Sequence, residues 1–248
     1  MPTLLSVNLN KIALIRNSRG RDYPSVTHFA ELALANGAHG VTIHPRPDQR
    51  HARYDDVAAL KAVVQAHPGK ELNIEGYPDE RFLDVVLAAC PTQCTLVPDE
   101  PGQLTSDHGW DIVRHGERLH AIVARLKAAD IRVSLFVDPD PAQIAAAPAT
   151  GADRVELYTE SYAHAYAEGR WMAEWERFAV AARAARDLGL GLNAGHDLNL
   201  DNLGNFLRIP GIDEVSIGHA LTVEALQQGF VATILRYVAI MRAVGGEG

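Results

Sequence analysis

The sequence predicts a single (β/α)8 TIM barrel over 1–248, with extra helices in the loops after the fourth and sixth strands. Three observations carry this expectation. Short β-branched or leucine-rich runs alternate with longer segments of helical apolar spacing, eight of each can be laid out along the chain, and polar residues gather where the strands end. The strand candidates are Leu4 to Asn8, Gly40 to His44, Glu71 to Glu75, Gln93 to Val97, Arg132 to Val137, Arg154 to Leu157, Gly191 to Asn193 and Glu214 to Ile217. Helix candidates between them are Val26 to Ala35, Tyr54 to Gln65, Asp79 to Ala89, Gly116 to Ala129, Ala142 to Ala147, Trp171 to Leu188, Leu200 to Leu207 and Thr222 to Val244.

Helix stops agree with this order, because Asn36-Gly37, Asp130, Gly151 and Leu188-Gly189 stand just before the next strand. Runs such as Val41-Thr42-Ile43-His44 and Val133 to Val137 read as apolar on both faces, which suits a parallel sheet wrapped by helices and packed within. A doubly wound open sheet is the alternative, but the GxGxxG that would follow its first strand is missing. No linker divides the chain. Two stretches, Pro98 to His115 and Thr159 to Gly169, are longer than ordinary strand-to-helix loops and are expected to cover a pocket or build a subunit contact.

Composition narrows the function. With 23 Lys plus Arg against 31 Asp plus Glu and a net charge of −8, the chain lacks the basic excess of a general nucleic-acid binder, so an anionic ligand must meet a local basic pocket. No apolar run is long enough to span a bilayer, and Asn8 and Lys11 come too early for a secretion signal, so a soluble cytoplasmic protein is expected. Cys90 and Cys94 fit neither a redox pair nor a zinc set and read as free core thiols.

The strand ends supply the candidate chemistry, since the active face of such a barrel lies at the C-terminal ends of its strands. Asn8 is followed by Asn10 and Lys11, His44 by Arg46, and Glu75 closes the third strand; Glu156 with Tyr158, Asn193 with His196, and Ser216 with Gly218 and His219 close later ones. A carboxylate ending a buried strand has its pKa raised toward general-base duty, and histidines supply acid/base groups near neutral pH. A functional role is favoured for both, although His44 is also compatible with a hydrogen bond to a loop carbonyl, and Glu75 with an ion pair. Gly218-His219 can open a phosphate-binding helix start or form an ordinary turn. Arg16, Arg19 and Arg21 surround Gly20 in a basic, flexible first loop, where a second phosphate can dock or where solvated charges simply lie. A metal is not expected: Asn8 and Asn10 stand where barrel hydrolases need histidines, HExxH is absent, and Lys11 and Arg46 oppose a cation.

Ordered blocks along nearly the whole chain then carry a resemblance. They are Val7-Asn8, Arg16-Asn17-Ser18-Arg19-Gly20, Gly40 to His44 with Arg46 and Arg50-His51, Leu72-Asn73-Ile74-Glu75, Leu96-Val97-Pro98, Val133 to Phe136, Asn193-Ala194-Gly195-His196 and Ile217-Gly218-His219-Ala220. In these the chain resembles the pyridoxine 5′-phosphate synthase family of vitamin B6 biosynthesis. The resemblance implies a homo-octameric barrel without metal or organic cofactor, which condenses 1-deoxy-D-xylulose 5-phosphate with 3-amino-2-oxopropyl phosphate to pyridoxine 5′-phosphate, phosphate and water. It implies His44 and Glu75 as proton acceptors and His196 as proton donor, with substrate contacts at Asn8, Arg19, Arg46, His51, Thr105, Gly218 and His219. Four positions depart from the family pattern. Asn10-Lys11 replaces an acidic residue followed by histidine, Tyr158 stands where histidine is frequent, and Asp197 replaces a glycine. Lys11 can pair with a phosphate. The Asp197 backbone N–H can still donate to one, provided its carboxylate turns away.

Overall fold

A computed structural model describes residues 2–99 and 106–245. Eight parallel strands close into a barrel in chain order: β1 (Leu4–Asn8), β2 (Gly40–Ile43), β3 (Glu71–Gly76), β4 (Gln93–Leu96), β5 (Arg132–Val137), β6 (Arg154–Tyr158), β7 (Gly191–Gly195) and β8 (Glu214–Ile217). Closure is made by β8 against β1, with Leu4 opposite Glu214 and Val7 opposite Ile217. The open-sheet alternative is thereby excluded.

Helices α1 (Asn10–Asn17) and α2 (Val26–Ala35) follow β1, α3 (Tyr54–Gln65) follows β2, α4 (Glu80–Ala89) follows β3 and α5 (Ile112–Lys127) follows β4. After β5 come α6 (Pro141–Ala146) and a 3-10 turn at 147–150; after β6, α7 (Glu160–Ala167) and α8 (Met172–Asp187); after β7, α9 (Leu203–Phe206); and after β8, α10 (His219–Gln228) and α11 (Phe230–Gly245). Side-chain caps explain several starts: Ser25 accepts from the His28 N–H, Asp79 from Phe82, and Asp111 from Arg114.

The extra helix expected after the sixth strand is α7, but residues 106–111 after β4 hold none, and added helices stand instead after β1 and β8. The first loop opens with α1, which takes in Arg16 and Asn17, while Arg19 and Arg21 lie in the turn beyond it. The helix's eight residues bury Ile12, Ala13 and the Arg16 stem, too short a pattern to show as helical periodicity among polar neighbours. The long final helix is two, parted at Gly229, whose φ of +88° no helix accommodates.

The barrel interior corrects one expectation. The strands are not apolar on both faces: outward residues such as Val7, Ile43, Ile74, Leu96, Leu135, Leu157 and Ala194 pack under the helices, while alternate inward residues are polar. Ser6 bonds Thr42 at 2.7 Å, Asn73 Nδ2 donates to Thr42 at 3.4 Å, and Thr95 donates to Asn73 at 3.1 Å. Toward the N-terminal end, Arg132 bonds Gln93 at 2.8 Å and pairs with Glu71, and Gln93 donates to the buried Glu214 at 3.2 Å. A buried polar lining persists only when its donors find acceptors, and this one is cross-linked around the barrel. Cys94 lies in the outer core as expected. Cys90 does not, because it caps α4 in a left-handed conformation (φ +44°) and is exposed.

Candidate active site

At the C-terminal end of the barrel the strand ends surround one cavity of about 640 Å³. Asn8, Asn10, Lys11, His44, Arg46, His51, Glu75, His196, Asp197, Gly218 and His219 all line it. Eleven of the thirteen positions singled out from sequence are thus brought to one mouth. Arg19 is not: it lies exposed past the end of α1. Thr105 falls outside the described residues.

Glu75 ends the inward row of β3 beneath the mouth, accepting from Asn8 Nδ2 at 3.3 Å and from Ser216 Oγ at 3.4 Å. Burial pushes its carboxyl up to about 7, against the opposing pull of His196 and the Ser216 hydrogen bond. Glu156, on the inward row of β6, is raised well above the carboxylate range by burial and by the nearby Glu75 and Glu214. Its Oε2 lies 3.3 Å from the Thr95 hydroxyl, whose single hydrogen already goes to Asn73. A protonated Glu156 donating to Thr95 satisfies both groups.

His44 sits in the turn after β2, its backbone N–H held by Asn10 Oδ1 at 2.8 Å. Burial, then the positive charges of Arg46, His51 and Arg50, hold its imidazole well below the usual histidine range, so it is neutral at pH 7. His51 is pushed down to about 4 by burial and by Lys11, Arg50 and Arg46. Arg46 pairs with the buried Asp99, which also accepts from Ser106 at 2.7 Å. The loop carrying Arg50 and His51 is clamped from α1: the Asn17 amide reaches the carbonyls of Gln49, Arg50 and His51 at 3.2, 3.1 and 2.6 Å. Arg16 in the same helix is committed to Asp56 at 2.9 Å and does not face the mouth.

On the far side, β7 ends in Gly195, where any Cβ would overlap the Glu156 carboxyl, and the chain passes through His196 and Asp197 at φ +79° and +56°. The Thr159 hydroxyl holds the carbonyls of Gly195 and His196, and Asn202 Nδ2 holds that of Asp197 at 3.3 Å. The Asn202 anchor is fixed by Tyr162 of α7, fully buried among Phe178, Phe206 and Trp171, whose hydroxyl donates to the Asn202 carbonyl at 2.9 Å. Gly218 lies so close to β1 that a Cβ there would stand 2.9 Å from the Asn8 Cβ.

Residues 5–243 match the family model described as pyridoxal phosphate biosynthesis protein PdxJ. The chain belongs to the PdxJ family. Over 244 residues it is 53% identical to pyridoxine 5′-phosphate synthase from Albidiferax ferrireducens, covering 96% of this chain and 97% of that one. It is 52% identical to the same enzyme from Brucella anthropi, covering 97% and 100%. Among solved structures, 3-hexulose-6-phosphate synthase from Salmonella typhimurium superposes with a TM-score of 0.67 at 16% identity, over 98% of this chain and 100% of that one, a likeness of fold.

The mouth of this PdxJ-family barrel also contains Glu156 and Ser216, named from sequence as strand ends but given no role, together with Arg50 and Ser106, with Asp99 buried behind Arg46. Glu156 and Ser216 were visible as polar residues at strand ends, and their alternation with Val155, Leu157, Val215 and Ile217 was the available signal. Asp99 gave none, since its importance comes from burial against a distant Arg.

Proposed function

We propose that this mouth binds two phosphorylated substrates together, 1-deoxy-D-xylulose 5-phosphate and 3-amino-2-oxopropyl phosphate, and joins them by acid/base chemistry into pyridoxine 5′-phosphate. By family the chain is an enzyme, a pyridoxine 5′-phosphate synthase. The reading rests on one observation: His44, Glu75 and His196 come from three strands to one cavity that Lys11, Arg46 and Arg50 also line. In a chain of net charge −8 those cations give local positive potential where two phosphates need it.

The amine of one substrate adds to the ketone of the other. His196 protonates the departing hydroxyl, water leaves, and a Schiff base between the two substrates results. Glu75 and His44 then take carbon-bound protons as a second hydroxyl leaves as water and phosphate is expelled, water adds at the carbon that carried the phosphate, and an aldol-type closure with loss of water completes the ring. Glu75, at about 7, is divided between its two forms near neutral pH and both takes and returns a proton. A phosphate seated against Arg46 and Arg50 cancels part of the field that keeps His44 proton-free, so substrate binding itself raises His44's basicity. Holding both substrates in reacting geometry lowers the barrier by about 7 to 11 kcal/mol, more than the ~10² to 10⁴ in rate of a single acid/base group. Asn8, His51, Gly218, His219 and the Asp197 N–H serve as substrate contacts. The same reading includes a cytoplasmic homo-octamer, for which exposed apolar residues such as Tyr23 and Leu226 provide contact surface.

The test supplies both phosphates, then each alone, and follows pyridine absorbance. Product from the pair only is expected; consumption of either substrate alone, as by an isomerase or aldolase, would overturn the reading. His196→Gln is expected to lose kcat, and full kcat in that variant would remove His196 from the donor role.

A further inference from the structure

The carboxylate of Asp197, where the family pattern has glycine, meets its own neighbour: Oδ2 lies 2.9 Å from His196 Nδ1. We propose that Asp197 is a positioning residue for His196, fixing the imidazole tautomer and orientation so that Nε2 is the atom that exchanges a proton with substrate. This rests on the donor role given to His196 above and adds a partner to it.

Three features of the geometry carry the proposal. A carboxylate kept ionised has only lone pairs to offer, so the shared hydrogen sits on His196 Nδ1, and Nε2 is the ring atom whose protonation can change during the reaction. Asp197 is held below the ordinary aspartate range, first by its hydrogen bond from His196 and then by the charges of His196, His219 and Lys11. The backbone is also shaped for the pair. His196 and Asp197 are consecutive non-glycine residues at φ +79° and +56°, a conformation that carbonyl bonds from Thr159 and Asn202 retain. Finally, the Tyr158 ring stands edge-to-face against the imidazole, with centroids 5.1 Å apart, and limits its rotation from the β6 side.

Other ionisable groups face this pair from every surrounding element. Glu75 from β3 adds negative potential when ionised, and Glu156 from β6, beneath Gly195, is held toward its neutral form; Lys11 from α1 and His219 from α10 add positive potential when charged. Tyr158 stays a neutral phenol, its hydroxyl raised chiefly by burial. Asp197 is hydrogen-bonded to the ring, so its removal acts on tautomer and charge together.

The experiment compares pH profiles of Asp197→Asn and Asp197→Gly with the parent, using both phosphorylated substrates. Glycine accepts the left-handed backbone without strain, so a folded variant is available even if asparagine is poorly tolerated. Loss of the carboxylate is expected to lower kcat about tenfold with KM little changed, as for other residues that orient a catalytic histidine. The pH profile of kcat should differ in shape from the parent's, because a charge beside the ring has been removed. Nitrogen NMR of labelled histidine should show the Nδ1–H tautomer at His196 in the parent and a tautomer mixture in the variants. Profiles and tautomer matching the parent, with only KM altered, would overturn the proposal and make Asp197 a substrate contact. Full kcat in His196→Gln would instead mark failure of the donor role itself.

Discussion

Replacing Glu75 by glutamine separates what its carboxyl does for the reaction from what it does to the fold. An acid held at about 7 in the native protein but near its ordinary 4.5 when unfolded binds its proton more tightly in the folded state. Below pH 4.5 both states are protonated and the group is neutral in its effect. As pH rises from 4.5 to about 7 the unfolded chain ionises first, and stability falls. Above that range the loss levels off at about 3 kcal/mol, from 1.36 kcal/mol per unit. The Glu75→Gln substitution removes this penalty while keeping the volume: the new amide's carbonyl still accepts from Asn8, and the Ser216 hydroxyl can reverse to accept from its N–H. Denaturant unfolding at pH 8 and pH 4 is the assay. The variant should be about 3 kcal/mol more stable than the parent at pH 8, a shift of roughly 6 to 12 °C in Tm for a chain of this size, and equal to it at pH 4. Its turnover should fall by ~10² or more. Equal stability at pH 8 would mean that the carboxyl is not held in a desolvated site, and the general-base argument would go with it.

Two further substitutions probe the supports of the mouth. Asn17→Ala releases three loop carbonyls without touching a ligand, so steady-state kinetics should show about a tenfold loss in kcat/KM from misplacement of Arg50 and His51, while the melting temperature moves only modestly. Gly195→Ala drives a methyl into the Glu156 carboxyl; activity should drop by ~10² or more, and unfolding measurements should show a destabilisation of about 1 to 3 kcal/mol.

Much of the fold was legible in the chain because a buried parallel strand and an outer helix differ in length and period, and glycines punctuate them. All eight strands were found, and α2 and α3 with their limits. What escaped was short or tertiary. The eight residues of α1 hold their place through the Arg16–Asp56 pair and the Asn17 clamp, both formed with residues more than thirty positions away. The Leu200 to Leu207 expectation shrank to α9, because that segment is held by packing of Phe206 on Tyr162 more than by its own periodicity.

The sequence by itself determined that polar residues end the strands of a βα repeat, and hence which side chains were available to a common rim. Closure of the barrel decided the rest. It set Glu214 close enough to raise the pKa of Glu75, and both close enough to raise that of Glu156, and it buried Asp99 against Arg46. It also turned the inward rows of the strands into a connected polar lining. Those properties depend on dielectric surroundings and on distances between residues far apart in the chain, and neither is encoded in local spacing.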